Sequence, residues 1–137
     1  MGTWDMGPFD NDKAADWCGD LHEAAPADRP GRVRDALAAV VDDGDAYLDS
    51  SLADAAIAAS AVIASQLPGG VPLTSAYAPD FLLEGGRLIV PADVPALAVR
   101  ALDRILAADS EWRELWEDTG RGTEAVAGLH HLRELLA

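Results

Sequence analysis

The sequence predicts an all-α fold: a compact bundle of five or six helices around an alanine-rich central helix, with at most a minor two-stranded element. Three observations predict it. Apolar residues recur at intervals of three and four through most of the chain, the spacing of one helical face. Residues that start helices stand before these stretches and glycine or proline follows them. A long run from Leu52 to Leu67 is apolar on nearly every side, which a helix tolerates only when neighbours surround it. The 137 residues suffice for one domain, and no linker long enough to divide residues 1–137 interrupts them.

The first helix is expected from about Asn11 to Glu23, with Asp10 as N-cap, Phe9 stapled onto Ala14, and Asp12 in the first turn where the helix dipole favours an anion. Ala14, Trp17, Cys18 and Leu21 form its inner face. Pro26 and Pro30 break the chain, Asp28 is placed to cap a second helix through Val33, Leu37, Val40 and Val41, and Gly44 ends it. The third helix, starting at Ala46 or Ser50 and running through Gln66, is the central one. Its alanines allow close approach, so at least three elements are expected to pack on it.

The stretch from Leu67 to Pro91 is the least helical. Arg87–Val90 is expected to be extended and could pair with Val71–Leu73 as an edge hairpin, while Phe81–Leu83 makes a helical turn tucked into the core. From Asp93 the helical repeat returns with Val94, Leu97, Ala98, Ala101, Leu102 and Ile105, and Pro95 is tolerable in a first turn. Ser110 caps a short helix carrying Trp112, Leu115 and Trp116 that ends before Gly120. Thr123 is expected to cap the last helix, buried through Val126, Leu129, Leu132 and Leu136.

Composition narrows the function classes. Half the residues are hydrophobic and 25% are charged, the balance of a globular chain. One cysteine, Cys18, excludes an internal disulfide framework and a multi-cysteine zinc site, and fits a reducing cytoplasm. The N-terminus lacks a secretory pattern, and Asp54, Ser60, Ser65 and Gln66 interrupt the longest apolar run, so no membrane attachment is expected. Ten basic residues against 24 acidic ones give a net charge of −14, which argues against nucleic acid and toward a basic protein partner or simple solubility.

Candidate chemistry has plain structural readings. Asp10, Asn11 and Asp12, with Asp16 and Asp20, could gather around a cation, but capping and a solvated helix face explain them. The Asp42–Asp49 run resembles a calcium loop only superficially, because it lacks the twelve-residue spacing and closing glutamate of an EF-hand; a helix junction accounts for it. His22, His130 and His131 are the histidines of the chain, and the adjacent His130 and His131 project about 100° apart on a helix, so they cannot both face one metal from there. Cys18 falls on an apolar face, and a Cys18–His22 pair lacks an orienting group. Gly69–Gly70 and Gly85–Gly86 are turns, not phosphate loops. No catalytic residue, cofactor or metal is assigned. Of the tryptophans, Trp17 and at least one of Trp112 and Trp116 should fill the core, leaving Trp4 or Trp112 to anchor a partner.

The string Gly2-Thr3-Trp4-Asp5-Met6-Gly7-Pro8-Phe9-Asp10-Asn11-Asp12, followed by Ala14 and Asp16-Trp17, resembles the opening of the bacterial family catalogued as domain of unknown function 4259. Members of that family open with a Gly-x-Trp-Gly-x-Gly-x-Phe-x-Asn-Asp run leading into a first helix. A weaker echo continues through the alanine-rich helix and Ser110–Glu117. Asp5 stands where the family usually has glycine, and Ser60 lies where many members are expected to carry glutamate. The resemblance implies no assigned activity.

The expected function is therefore a non-enzymatic interaction module in the bacterial cytoplasm, immunity- or antitoxin-like, engaging a basic protein. Its contact surface is expected on the short helix, with Trp112 as a half-exposed anchor among Glu111, Glu114, Glu117 and Asp118. The alternative is a small enzyme or ligand-binding protein with a pocket under the 67–91 connection. A cleft holding converging carboxylates would favour the alternative, and a flat acidic face with an exposed tryptophan the interaction module. On the helix-junction reading of residues 42–49, calorimetric titration with calcium or zinc at micromolar protein is expected to be flat. A single-site isotherm abolished by Asp42→Ala or Asp45→Ala would overturn it.

Overall fold

A computed structural model describes Phe9 and residues 11–42, 47–68, 78–84 and 86–137. Helix α1 spans Asp12–Glu23. Its N-cap is Asn11, whose backbone is extended and whose Oδ1 accepts the Ala14 N–H at 2.7 Å. The cap therefore falls one residue later than the expected Asp10, which lies outside the described residues. An asparagine amide oxygen caps as well as a carboxylate, so the sequence pattern alone cannot choose between the neighbours. Phe9, Ala14, Cys18 and Leu21 are buried in the core, and Trp17 packs against it from the rim. The far end of α1 is closed from outside: Arg29 donates to the Leu21 and His22 carbonyls at 3.2 and 2.8 Å, and its guanidinium lies 3.8 Å above the Phe81 ring centre.

A 3₁₀ turn, Pro26–Asp28, runs straight into α2, Arg29–Val41. Asp28 holds the N-cap position but its side chain makes no capping bond, which corrects the expectation for it. Its backbone is already helical, and the turn supplies the Pro26 carbonyl to the Arg29 N–H while Pro30 has no N–H to satisfy. Val33, Leu37 and Val40 form the buried face.

Helix α3, Ser50–Gln66, begins at the later of the two expected starts. Ala53 and every residue from Ala55 to Ala64 are buried, and α1, α2, α5, α6 and α7 all touch it. The one buried hydroxyl inside this helix, Ser60, donates to the Ala56 carbonyl at 2.8 Å and so needs no outside partner. One-turn helix α4, Asp80–Leu83, packs on α1. Residues 87–90 are in no helix or strand, and the Leu88 N–H donates to Gln66 Oε1 at 3.1 Å. Their possible partner, Val71–Leu73, lies outside the described residues.

Helices α5 (Val94–Leu106), α6 (Glu111–Asp118) and α7 (Gly122–Leu136) complete the bundle, with Pro95 in the first turn of α5 and Ser110 capping α6 as expected. The start of α7 corrects the expectation: the helix opens at Gly122 and Arg121, not Thr123, holds the cap position. Gly120, at φ +78°, takes the left-handed conformation that ends α6, and a Cβ on Gly122 would sit 3.1 Å from Glu117 Cγ. These two glycines let α7 fold back tightly, so the helix starts before Thr123 can cap it. No helix among the described residues is long and apolar enough to cross a membrane.

Asn11→Ala is expected to lower stability by about 1 kcal/mol through loss of the cap, with Asn11→Ser restoring most of it, measured by urea unfolding. Unchanged stability in Asn11→Ala would mean the cap contributes nothing.

Candidate functional site

The turns before α3 and before α6 are stitched together. The Leu48 N–H donates to the Asp109 carbonyl at 2.8 Å, and the Glu111 N–H returns a bond to the Leu48 carbonyl at 2.9 Å. Asp109 sits at φ 60°, a left-handed conformation that aspartate tolerates better than most residues. Its carbonyl also accepts from Arg104 at 3.3 Å, while Arg113 donates to the Leu106 carbonyl at the end of α5. Glu111 then reaches across to α3, where Oε1 accepts the Ser50 N–H at 2.8 Å. A carboxylate of α6 thus caps the positive end of α3 beside that helix's own cap, Asp49, which accepts the Ser51 N–H at 2.7 Å.

This clamp opens a cleft of about 390 Å³ between the starts of α1 and α3 and one face of α6. Trp112, Leu115 and Trp116 supply an apolar wall, with the two indoles 6.4 Å apart and tilted by 57°. Opposite stand Ser50, Ser51 and Asp54 of α3, with Lys13 on α1. Asp54 is a half-buried carboxyl between the buried Ala53 and the fully buried run that starts at Ala55. Burial, with the charges of Asp49 and Glu111 adding to it, pushes its pKa up to about 7.

The expected contact residues are arranged differently. Trp112 is 6% exposed and belongs to the core, whereas Leu115 is 51% exposed and Trp116 is half-buried. The expectation of a half-exposed Trp112 is corrected. Ser110, pinned by the Leu48 bridge and itself buried, holds the start of α6 against the core with Trp112 inside, while Leu115, one turn on and on the same side, stays at the solvent edge of the cleft. The acids are largely engaged: Glu111 caps α3, Glu114 accepts the Tyr47 hydroxyl, and Glu117 pairs with Arg113 at 3.1 Å, leaving Asp118 exposed with Glu114 and Glu117. The bond to Glu114 holds the Tyr47 phenol up at about 12. Beneath Tyr47 a second hollow, about 370 Å³, is lined by Arg113, Glu114 and Glu117.

Other candidates close down. Cys18 is buried and desolvation raises its thiol to about 12, so it is no nucleophile. His22 Nδ1 accepts the Phe81 N–H at 3.2 Å and its ring stacks on Phe81, which holds it in a structural role. Asp12, Asp16 and Asp20 are exposed, as are His130 and His131. Trp4, Gly44, Asp45 and Gly69–Gly70 lie outside the described residues, as do positions 71–77 and 85 of the 67–91 connection. Within that connection, residues 88–91 pack on Val33, Ile63 and Val94 with no space for a water molecule. Sequence reasoning passed over Asp54 as a mere interruption of an apolar run. The available signal was that interruption: a lone charge in a helix that neighbours must cover on every side.

Asp54 gives stability a pH dependence of definite sign. Its carboxyl titrates near 7 folded, against an unperturbed ~3.9, so between those values the folded state holds the extra proton. Stability should fall as pH rises through that window and level off above it. The full shift would be worth about 4 kcal/mol, and the water that still reaches the carboxyl reduces the expected loss to roughly 2 kcal/mol. Asp54→Asn should flatten the trend between pH 5 and 8 and be the more stable protein at pH 8, by urea unfolding. An unchanged slope would remove Asp54 as its cause.

The family model described as Domain of unknown function (DUF4259) matches residues 2–127. Neither a search of curated proteins nor a search of solved structures finds a match. The N-terminal resemblance and the match across nearly the whole chain agree, and the chain belongs to the DUF4259 family.

Proposed function

We propose that this chain is a non-enzymatic binding module that engages a basic protein partner through α6 and the cleft beside it, in an immunity- or antitoxin-like role. The observation that carries this is Leu115, half in solvent beside Trp116, at the mouth of an apolar-walled cleft in a chain of net charge −14. Apolar anchors surrounded by polar groups are the usual energetic centre of an interface, and the surrounding charge steers encounter with a partner of opposite sign. Glu114, Glu117 and Asp118 lie on the same helix and supply that charge. Relative to the sequence expectation, the anchor moves from Trp112 to Leu115 and Trp116.

A second reading draws on Asp54. A carboxyl titrating near neutrality in a cleft is suited to general acid–base work, and Ser50, Ser51 and Lys13 stand in the same cleft. It predicts a substrate whose turnover, but not binding, is lost in Asp54→Asn.

The interaction reading is tested by capturing partners with tagged chain, identifying them by mass spectrometry, and measuring binding of the purified partner by surface plasmon resonance. The partner should be basic and its on-rate should fall as salt rises. Leu115→Ala or Trp116→Ala should weaken affinity about tenfold or more, and Asp118→Lys should act mainly on the on-rate. An acidic partner, or binding indifferent to salt and to these substitutions, removes the reading.

A further inference from the structure

The chemistry of the cleft specifies its occupant more narrowly than the charge of the whole chain does. Two helices begin at it, which by itself would invite an anion. Three of the first-turn donors are already occupied: the Ala14 N–H by Asn11, the Ser50 N–H by Glu111 and the Ser51 N–H by Asp49. Two of those three acceptors are carboxylates, so the protein's own charge has neutralised the positive end of α3. The charged groups facing Asp54 are Asp49 on its own helix and Glu111 on α6, with Asp12 and Lys13 on α1 across the cleft. Acids outnumber the single base. A purely apolar occupant would seal Asp54 away from water with no partner, which a carboxylate resists strongly. The opposite wall, Leu115 and Trp116, suits an alkyl stem, while the Arg121 guanidinium already stands over the Trp116 ring, 6.0 Å from its centre. The volume, about 390 Å³, is near the small end of the ~300–1,000 Å³ span of ligand pockets, room for one long side chain.

Building on the interaction reading, we propose that the cleft receives one lysine or arginine side chain of the basic partner, its stem against Trp116 and Leu115 and its cationic head on the Asp54 carboxylate. The occupant favours the ionised form of Asp54, so binding releases the carboxyl's proton near neutral pH and tightens as pH rises. Lys13 is a like charge at the rim and opposes the occupant.

Lys13 is the single lysine of the chain, so labelling with ¹⁵N-lysine gives one backbone amide signal at the cleft, and the Trp116 indole gives a second reporter on its wall. The probes are n-hexylammonium, 1-hexanol, hexanoate and a lysine-rich peptide, each titrated by NMR at pH 5 and pH 8. Hexylammonium and the peptide should move the same two signals at pH 8 and bind about tenfold more weakly at pH 5. Asp54→Asn should bring affinity at pH 8 down about tenfold and abolish the pH effect, and Lys13→Gln, read at the indole, should strengthen binding. Hexanol or hexanoate binding as well as the amine, or Asp54→Asn binding as the parent does, would overturn the proposal. So would a peptide that leaves both signals unmoved while the free amine shifts them, since the occupant would then not come from a protein. A basic partner sensitive to Leu115→Ala but indifferent to Asp54→Asn would sink this assignment and leave the interaction reading standing; amine and peptide binding without any basic partner would do the reverse.

Discussion

Burial of the middle of α3 on every side is the constraint on which the rest of the structure depends. From Ala55 to Ala64 no residue has an exposed side, so the bundle must supply neighbours all round it, and α1, α2, α5, α6 and α7 do so. Alanine makes this possible in two ways: it is the best helix former, and its short side chain lets several helices approach one axis. The larger side chains of the neighbours, such as Leu21, Leu37, Leu102 and Ile105, then fill the volume that alanine leaves open. Each outer helix accordingly needs only one apolar stripe, and the rest of its surface is free to be charged.

That freedom does not make every acid a surface acid. Glu111 caps a helix to which it does not belong, Asp49 caps its own, and Asn11 does the same for α1. Arginines act in the complementary sense, with Arg29 and Arg113 donating to the last carbonyls of α1 and α5. Helix ends leave donors and acceptors that must be paired when they approach a core, and this chain pairs many of them with side chains from elsewhere in the sequence. A large negative charge thus combines polar closure of the fold with a remaining solvated excess, and only the second part is available to a partner.

Asp54 stands against this economy. A carboxyl placed beside two other acids and deprived of much of its water favours the protonated form, and nothing in the packing of α3 requires it. Elsewhere along that helix polar atoms are either satisfied within the helix, as in Ser60, or held near its end, as in Ser65 and Gln66. Groups whose environment opposes their charge are concentrated at functional sites, because the same strain that weakens the fold can be relieved by a ligand. The cleft holds such a group beside an apolar wall that is only partly covered, and that combination is what sets it apart from the hollow beneath Tyr47, where the hydroxyl and carboxylates already satisfy one another.

By itself, the sequence determined the all-α class, the Ala-rich central helix, the inner faces of α1, α2, α5 and α7, and the Ser110 cap. Those features depend on spacing and on residues within one turn of each other, where periodicity and local hydrogen bonding decide the outcome. The family was legible too, and its model matches residues 2–127. Only the tertiary structure decided that Trp112 is covered while Leu115, one turn on, is left half in solvent, since α6 is too short for its periodicity to set how far the core covers it. It also decided between Asp10 and Asn11, moved the start of α7 ahead of Thr123, and gave Glu111 to a helix 61 residues away in sequence. The cleft itself is assembled from three segments, and the displaced titration of Asp54 arises from burial and from charges on two helices. Such properties belong to the arrangement of elements in space, because desolvation and Coulomb interactions act across distances that local sequence does not encode.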